Sequence, residues 1–282
     1  MTKSQGLGQK LQRLKSIIKN MSSAVVAFSG GVDSTFLLKV CLEFLGSDNV
    51  LAVTAKSAIH PEWELQAAER LARMLGVRHK IVKTEELEIP GFSDNPPERC
   101  YYCKKEVFGK LLDTARREGF NVVVDGSNFD DTRDFRPGMR ATAELGIRSP
   151  LKEAGFTKDD IRALSKEMGL PTWNKPSFAC LSSRFPYGEK ITLEKLERVA
   201  RAEEILRALG FSQYRVRSHG DIARIEVQPE DMERFFDREL REDTAAKIKQ
   251  AGFKYVTLDL LGYRSGSMNE VLEGEQKALW KN

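Results

Sequence analysis

The residues of this chain best equipped for chemistry are the hexapeptide Ser29-Gly30-Gly31-Val32-Asp33-Ser34 and the pair Cys100 and Cys103. In the hexapeptide two glycines let the backbone curl with its N–H groups exposed, and a helix starting near Ser34 turns its positive dipole end toward an anion. This is the chemistry of a phosphate cradle. It differs from a Walker A loop in having no Lys before the last hydroxyl residue and in carrying Asp33 where a metal can be held. The bland alternative is a Gly-Gly turn in which Asp33 and Ser34 only cap the helix. Cys100 and Cys103 are spaced to chelate one metal centre from the start of a helix, where the dipole lowers a thiol pKa. A structural zinc site needs four ligands, and His60, His79 and His219 are isolated in the sequence. Cys180 is the candidate third thiolate, whereas Cys41 sits at an apolar helix position and is read as a small core residue. Three thiolates with an open coordination position suit an iron–sulfur cluster; a redox pair, or two buried thiols with an inert Cys180, remain alternatives.

These groups need elements to position them. The apolar run Ala24–Phe28 is followed by apolar residues at helical spacing through Phe44, which predicts strand, tight turn and helix around the glycine loop. The alternation repeats, with strands near 50–54, 79–82 and 122–124 and helices near 62–75 and 105–117, implying a parallel sheet with helices on both faces and ligands at the carboxyl ends of its strands. Thr54 and Ser57 end the second strand; Gly126 lies in the Asp125–Asn128 turn after a later one, and the polar segment Asp130–Gly138 follows. Thr157 and Asp160 form a capping-box pattern for a helix that stops at Gly169. The Pro-, Ser- and aromatic-rich stretch 171–189 predicts a boundary between domains 1–186 and 187–282. A helix from Thr192, strands at 214–218 and 222–227 turning at Gly220, helical sequence to Gln250 and a strand at 255–260 make the smaller domain α+β.

Composition excludes several classes. The 282 residues are 41% hydrophobic and 30% charged, ordinary globular usage that allows a real core and two domains. A net charge of +4 from 45 basic and 41 acidic residues announces no nucleic-acid partner. Leu7, Leu11, Leu14 and Ile18 lie at helical spacing among basic residues, an amphipathic helix rather than a signal sequence, and no apolar run reaches the ~20 residues of a membrane span. A cytoplasmic protein without a disulfide framework is expected.

The hexapeptide resembles the PP-loop of the N-type ATP pyrophosphatases. Together with Arg99–Lys104, Asp125–Asn128, Arg136–Gly138, Ser149–Leu151, the segment around Cys180 and Gly262–Ser267, it makes nearly the whole chain similar to the LarE family. The resemblance implies a parallel-sheet α/β PP-loop domain, of the adenine nucleotide alpha hydrolase type, with a smaller α+β C-terminal domain for substrate binding and oligomerisation. It also implies ATP as co-substrate, with Asp33 helping to hold Mg²⁺, the loop amides and the Ser29 and Ser34 hydroxyls gripping pyrophosphate, and the strand end at Thr54 and Ser57 near the adenosine. The family inserts sulfur into pyridinium-3,5-biscarboxylic acid mononucleotide during synthesis of a nickel-pincer cofactor. Some members sacrifice the sulfur of one cysteine at the Cys180 position; others carry a [4Fe-4S] cluster on three cysteines, and Cys100, Cys103 and Cys180 place this chain with the cluster type. A mononucleotide substrate, a sulfide donor and further copies of the chain are the implied partners.

An anionic mononucleotide needs cations. Arg215 and Arg217 alternate on one strand face, and Arg264 lies in the Gly-rich loop near the C-terminus, so these are candidates to clamp a phosphate. Glu203 and Glu226 match acidic positions that the family places near substrate or metal. The plain alternative for all five is exposed surface charge. Competing functions are a PP-loop tRNA thiolase, a non-catalytic nucleotide-binding module and an amide-forming ligase that has no use for three cysteines.

Overall fold

A computed structural model describes residues 3–133 and 137–272, with no side-chain detail for residues 3–5 and Arg133. Asp134, Phe135 and Arg136, part of the polar segment singled out above, lie outside the described residues. The chain divides into two compact units. One comprises the described residues up to Glu85 and those of Cys100–Ser177; the other comprises Glu86–Arg99 and the described residues from Phe178 onward.

In the first unit the elements run α1 (Lys3–Lys19), β1 (Ala24–Ala27), α2 (Val32–Leu45), β2 (Val50–Lys56), α3 (Glu62–Met74), β3 (Arg78–Lys83), α4 (Arg99–Glu118, beginning one residue before the unit resumes), β4 (Val122–Val124), α5 (Gly138–Glu144), α6 (Pro150–Glu153) and α7 (Lys158–Glu167). The four strands form a parallel sheet in the order β3-β2-β1-β4. Strand alternation divides its residues between two cores. Val26, Val50, Ala52 and Val124 pack with Leu14 and Ile18 of α1, the apolar face of α2, Ala68 and Ala72 of α3, and Ile161 of α7. Val25, Leu51, Val53 and Val123 pack with Phe108, Leu111 and Ala115 of α4. Strands covered on both faces are apolar throughout, which is why β1 reads as an unbroken hydrophobic run. Parallel strands joined by helices put the turns after β1, β2 and β4 at one edge of the sheet.

Local chemistry sets the helix ends. The Thr157 hydroxyl accepts from the Asp160 N–H at 3.3 Å, while the Asp160 carboxylate accepts from the Thr157 N–H at 3.0 Å, the reciprocal box that fixes the start of α7. Helix α2 begins at Val32, two residues before the start expected from sequence, because Val32 is buried in the core and the turn is completed by Gly30 and Gly31.

The second unit contains α8 (Leu193–Ala208), β5 (Tyr214–His219), β6 (Ile222–Val227), α9 (Arg238–Gln250) and β7 (Tyr255–Leu258). β5 and β6 form the antiparallel hairpin around Gly220, which takes φ +58°, and β7 joins parallel to β6 after the α9 crossover. The segment 86–99 belongs with this unit: the Asn95 side-chain amide donates to the Pro186 carbonyl at 2.6 Å, and Arg99 donates to the Asn95 carbonyl oxygen at 2.6 Å. Among the described residues no helix is long and apolar enough to cross a membrane.

Candidate functional site

The turn after β1 is tied together by its own hydroxyls. Ser29 Oγ and Ser34 Oγ lie 3.1 Å apart, the Gly31 N–H donates to Ser29 Oγ at 3.3 Å, and Ser34 Oγ donates to the Gly31 carbonyl at 3.2 Å. Gly30 takes φ +68°, open to glycine at no steric cost, and a Cβ there would stand 3.1 Å from the backbone of Ala68 in α3. The loop is therefore pressed against α3 and directs the start of α2 outward.

Asp33, in the first turn of α2, is ion-paired with Lys158 at the start of α7, and the Asn128 amide approaches its other oxygen at 3.5 Å. Across the loop, buried Asp125 at the end of β4 accepts from Ser127 Oγ and Ser149 Oγ, each at 2.6 Å, with the Lys104 amine 3.6 Å away. Gly126 brings β4 against the loop: a Cβ would meet the Ser34 nitrogen at 3.0 Å and the Asp33 carbonyl carbon at 3.2 Å. Since those neighbours are backbone atoms, Gly126→Ala must displace either the start of α2 or the end of β4, an overpacking cost of about 1–3 kcal/mol. A lowered denaturation midpoint together with weakened ATP binding is the expected result; unchanged ATP affinity would show the approach to be incidental.

These groups open onto a cavity of about 390 Å³, within the range of small-ligand sites. Val53, Leu65, Val107, Phe108 and Leu111 give it apolar walls, while Ser29, Gly31, Asp33, Ser34, Asp125 and Gly126 form its polar end. Thr54 and Ser57 also line it, so seven of the nine residues expected at the nucleotide come together on one cavity. Val32 is instead core, and Gly30 is buried behind the loop. Thr54 has a structural task as well: its hydroxyl donates to the Phe28 carbonyl at 2.6 Å and lies 2.8 Å from His79 Nε2, whose pKa burial pushes down.

Cys100 and Cys103 lie one turn apart near the start of α4; Cys100 is exposed, and Cys103 lines the same cavity as the nucleotide loop. None of the four cysteines is in a disulfide. Cys41 is fully buried and its thiol is pushed up to about 12 by desolvation, which makes it an inert core residue as expected. Among the described residues no three His, Cys, Asp or Glu side chains are gathered as a metal-binding group. Cys180 belongs to the second unit.

There, Cys180 immediately precedes a short 3₁₀ turn, Leu181–Arg184, that is anchored by buried charges. Arg184 donates to both oxygens of Glu203, at 2.6 and 3.0 Å, and to the Cys180 carbonyl at 3.3 Å. Arg217 donates to both oxygens of Glu226, at 3.0 and 2.9 Å, and to the Ser183 carbonyl at 2.6 Å. Glu203 and Glu226 are thus each matched by a guanidinium fork, not exposed surface charges. Arg215 shares the face of Arg217, lies 5.2 Å from the ring centres of both Phe178 and Tyr263, and has its pKa lowered to about 10, chiefly by burial and next by Arg184. Arg264 is partly exposed and pairs with Glu270 at 3.2 Å and Asp259 at 3.5 Å.

Arg184, Lys158, Lys104 and Lys175, whose amine donates to the Gly30 carbonyl at 2.9 Å, were not singled out from the sequence. Breaking a buried pair strands a charge, so Glu203→Ala should destabilise the protein by about 3–5 kcal/mol, measured by chemical denaturation. A change below about 1 kcal/mol would assign the pair the weight of a surface bridge.

Comparison with known proteins gives the same outline. The NAD synthase family model matches residues 7–92, which hold the Ser29–Ser34 turn. The chain is 47% identical to an uncharacterized protein of Synechocystis over 94% of its length and 99% of that protein. It is 44% identical to the pyridinium-3,5-bisthiocarboxylic acid mononucleotide synthase of Lactiplantibacillus plantarum, over 96% of its length and 98% of that protein. A third relative, an uncharacterized protein of Methanocaldococcus jannaschii, is 33% identical over 91% of the chain and 98% of that protein.

Proposed function

The chain belongs to the LarE family of PP-loop enzymes, and on that premise we propose that it is an ATP-dependent sulfurtransferase acting on pyridinium-3,5-biscarboxylic acid mononucleotide. Its product is the thiocarboxylate used in building a nickel-pincer cofactor. The observation that carries this reading is one cavity in which the Ser29–Ser34 turn, apolar walls suited to a base and the thiol Cys103 meet.

A carboxylate resists attack by sulfur because oxide is a poor leaving group. In the first step a substrate carboxylate oxygen attacks the α-phosphorus of ATP; the bond to the bridging oxygen breaks and pyrophosphate leaves. The loop N–H groups and the Ser29 and Ser34 hydroxyls hold the departing anion, and Lys158 places a positive charge beside Asp33. In the second step sulfide-level sulfur attacks the acyl carbon of the adenylate, the carbon–oxygen bond to AMP breaks, and the thiocarboxylate forms. No net oxidation is needed.

The carboxylate oxygens at the polar end fit a hard cation, and Asp33 is the residue that would hold Mg²⁺; when bound, it neutralises charge on the phosphates. Cys100, Cys103 and Cys180, all outside disulfides, have the soft donor chemistry of an iron–sulfur cluster. Cys100, Cys103 and Cys180 are the residues that would hold a [4Fe-4S] cluster, which would supply sulfide-level sulfur for the second step. Arg215, Arg217 and Arg264 are the cations proposed for the substrate phosphate, with Glu203 and Glu226 fixing them or their neighbours.

The test is anaerobic incubation of the purified protein with the mononucleotide, ATP, Mg²⁺ and sulfide. Release of AMP and pyrophosphate, with sulfur replacing oxygen in the product by mass spectrometry, is expected. Bound ATP without pyrophosphate release in a folded preparation would overturn the adenylation step. Pyrophosphate formed only with tRNA, bound tightly and in a salt-sensitive manner, would make the protein a tRNA thiolase instead.

A further inference from the structure

The nucleotide loop is gripped from behind by a residue far away in the sequence. Lys175 Nζ donates to the Gly30 carbonyl at 2.9 Å. The amine is largely sequestered: it stands 6.0 Å from the centre of the Trp63 ring, and burial lowers its pKa while Glu64 acts in the opposite direction. Trp63 and Glu64 lie in the first turn of α3, the helix whose Ala68 packs under Gly30.

The carbonyl that Lys175 holds belongs to the same peptide plane as the Gly31 N–H, and in a trans peptide the two point in opposite directions. Fixing the Gly30 oxygen toward Lys175 therefore fixes the Gly31 N–H toward Ser29 Oγ, where it donates at 3.3 Å. Both Ser29 and Gly31 line the cavity. A Gly-Gly peptide is the kind most easily turned over, since neither residue has a Cβ to resist the change of φ and ψ. Turned over, this peptide would present a carbonyl dipole to the phosphates in place of an N–H. A cation donating to the oxygen opposes this.

We propose that Lys175 is a positioning residue for the adenylation step: by holding the Gly30 carbonyl it sets the Gly30–Gly31 peptide in the anion-binding orientation, and it does so without touching the nucleotide. This rests on the reading of the loop as a pyrophosphate cradle. The role is specific to charge and direction. Arg at 175 can still donate to the carbonyl, whereas Met, close to Lys in length and apolar, cannot.

The experiment measures binding of inorganic pyrophosphate and of ATP, each with Mg²⁺, to wild type, Lys175→Met and Lys175→Arg, with kcat and KM for pyrophosphate release. Lys175→Met should weaken pyrophosphate binding by about tenfold, the scale of one charged hydrogen bond. It should also shift the Gly31 amide resonance, and Lys175→Arg should recover most of both effects. Equal pyrophosphate affinity in Lys175→Met and wild type, with an unmoved Gly31 amide, overturns the inference while leaving the cradle in place. Failure of wild type to bind pyrophosphate at all instead overturns the reading of the loop. Thermal midpoints measured without nucleotide identify a variant that fails to fold; should Lys175→Met do so, Lys175→Leu, which likewise has no donor for the Gly30 carbonyl, takes its place with the same outcomes.

Discussion

Asp33→Ala is expected to lower pyrophosphate release from ATP by at least about a hundredfold, the usual scale for losing one electrostatic group at a reacting centre. Asp33 lines the polar end of the cavity and is the carboxylate proposed for Mg²⁺. Its present partners are Lys158 and the Asn128 amide, and its side chain is 23% exposed against 33% for Lys158. Ion pairs so exposed are worth at most about 1 kcal/mol, so the fold should survive the substitution nearly unchanged. Stability and activity are thereby separable at this residue. A coupled pyrophosphate assay beside a thermal melt checks the expectation, and near-normal release by a folded variant would remove Asp33 from the mechanism.

Replacing Cys180 by Ala should stop sulfur transfer altogether while pyrophosphate release continues, because activation of the carboxylate uses the loop after β1 and not this thiol. Cys100→Ala and Cys103→Ala distinguish the source of the sulfur. If the three thiolates act together on a cluster, each variant loses iron and loses transfer to the same degree. If Cys180 gives up its own sulfur, only Cys180→Ala is inactive, and wild type after turnover is lighter by the mass of hydrogen sulfide at that residue. Cys100 is exposed and Cys103 half-buried, and thermal melts of the variants separate lost transfer from unfolding. Iron analysis of the variants and mass spectrometry of the spent protein read out the two cases. Strictly anaerobic, iron-free wild type that still transfers sulfur would falsify the cluster assignment.

The Ser29–Ser34 turn between β1 and α2 was legible in sequence because its signals are local. A strand, two glycines and a helix start lie within a dozen or so residues, and their hydrogen bonds close within the turn itself, from Ser29 to Ser34. The capping box at Thr157 and the hairpin at Gly220 are likewise completed by neighbours in the chain. The burial of Cys41 followed from helical spacing alone. Each of these depends on backbone geometry that a few adjacent side chains dictate.

What the tertiary structure decided is which distant charges meet. Lys158 reaches Asp33 across 125 residues and Lys175 reaches Gly30 across 145, and neither lysine carries any periodicity or spacing that marks it off from a solvated surface residue. Glu203 and Glu226 were candidates for the substrate with exposed surface charge as the alternative; Arg184 and Arg217 pair with them in buried positions and tie down the turn that follows Cys180. The segment 86–99 likewise joins the second unit through Asn95 and Arg99, although it lies in sequence between β3 and α4 of the first. A desolvated charge must find a counter-charge wherever the folded chain supplies one, so such partners are chosen by packing rather than by proximity along the sequence.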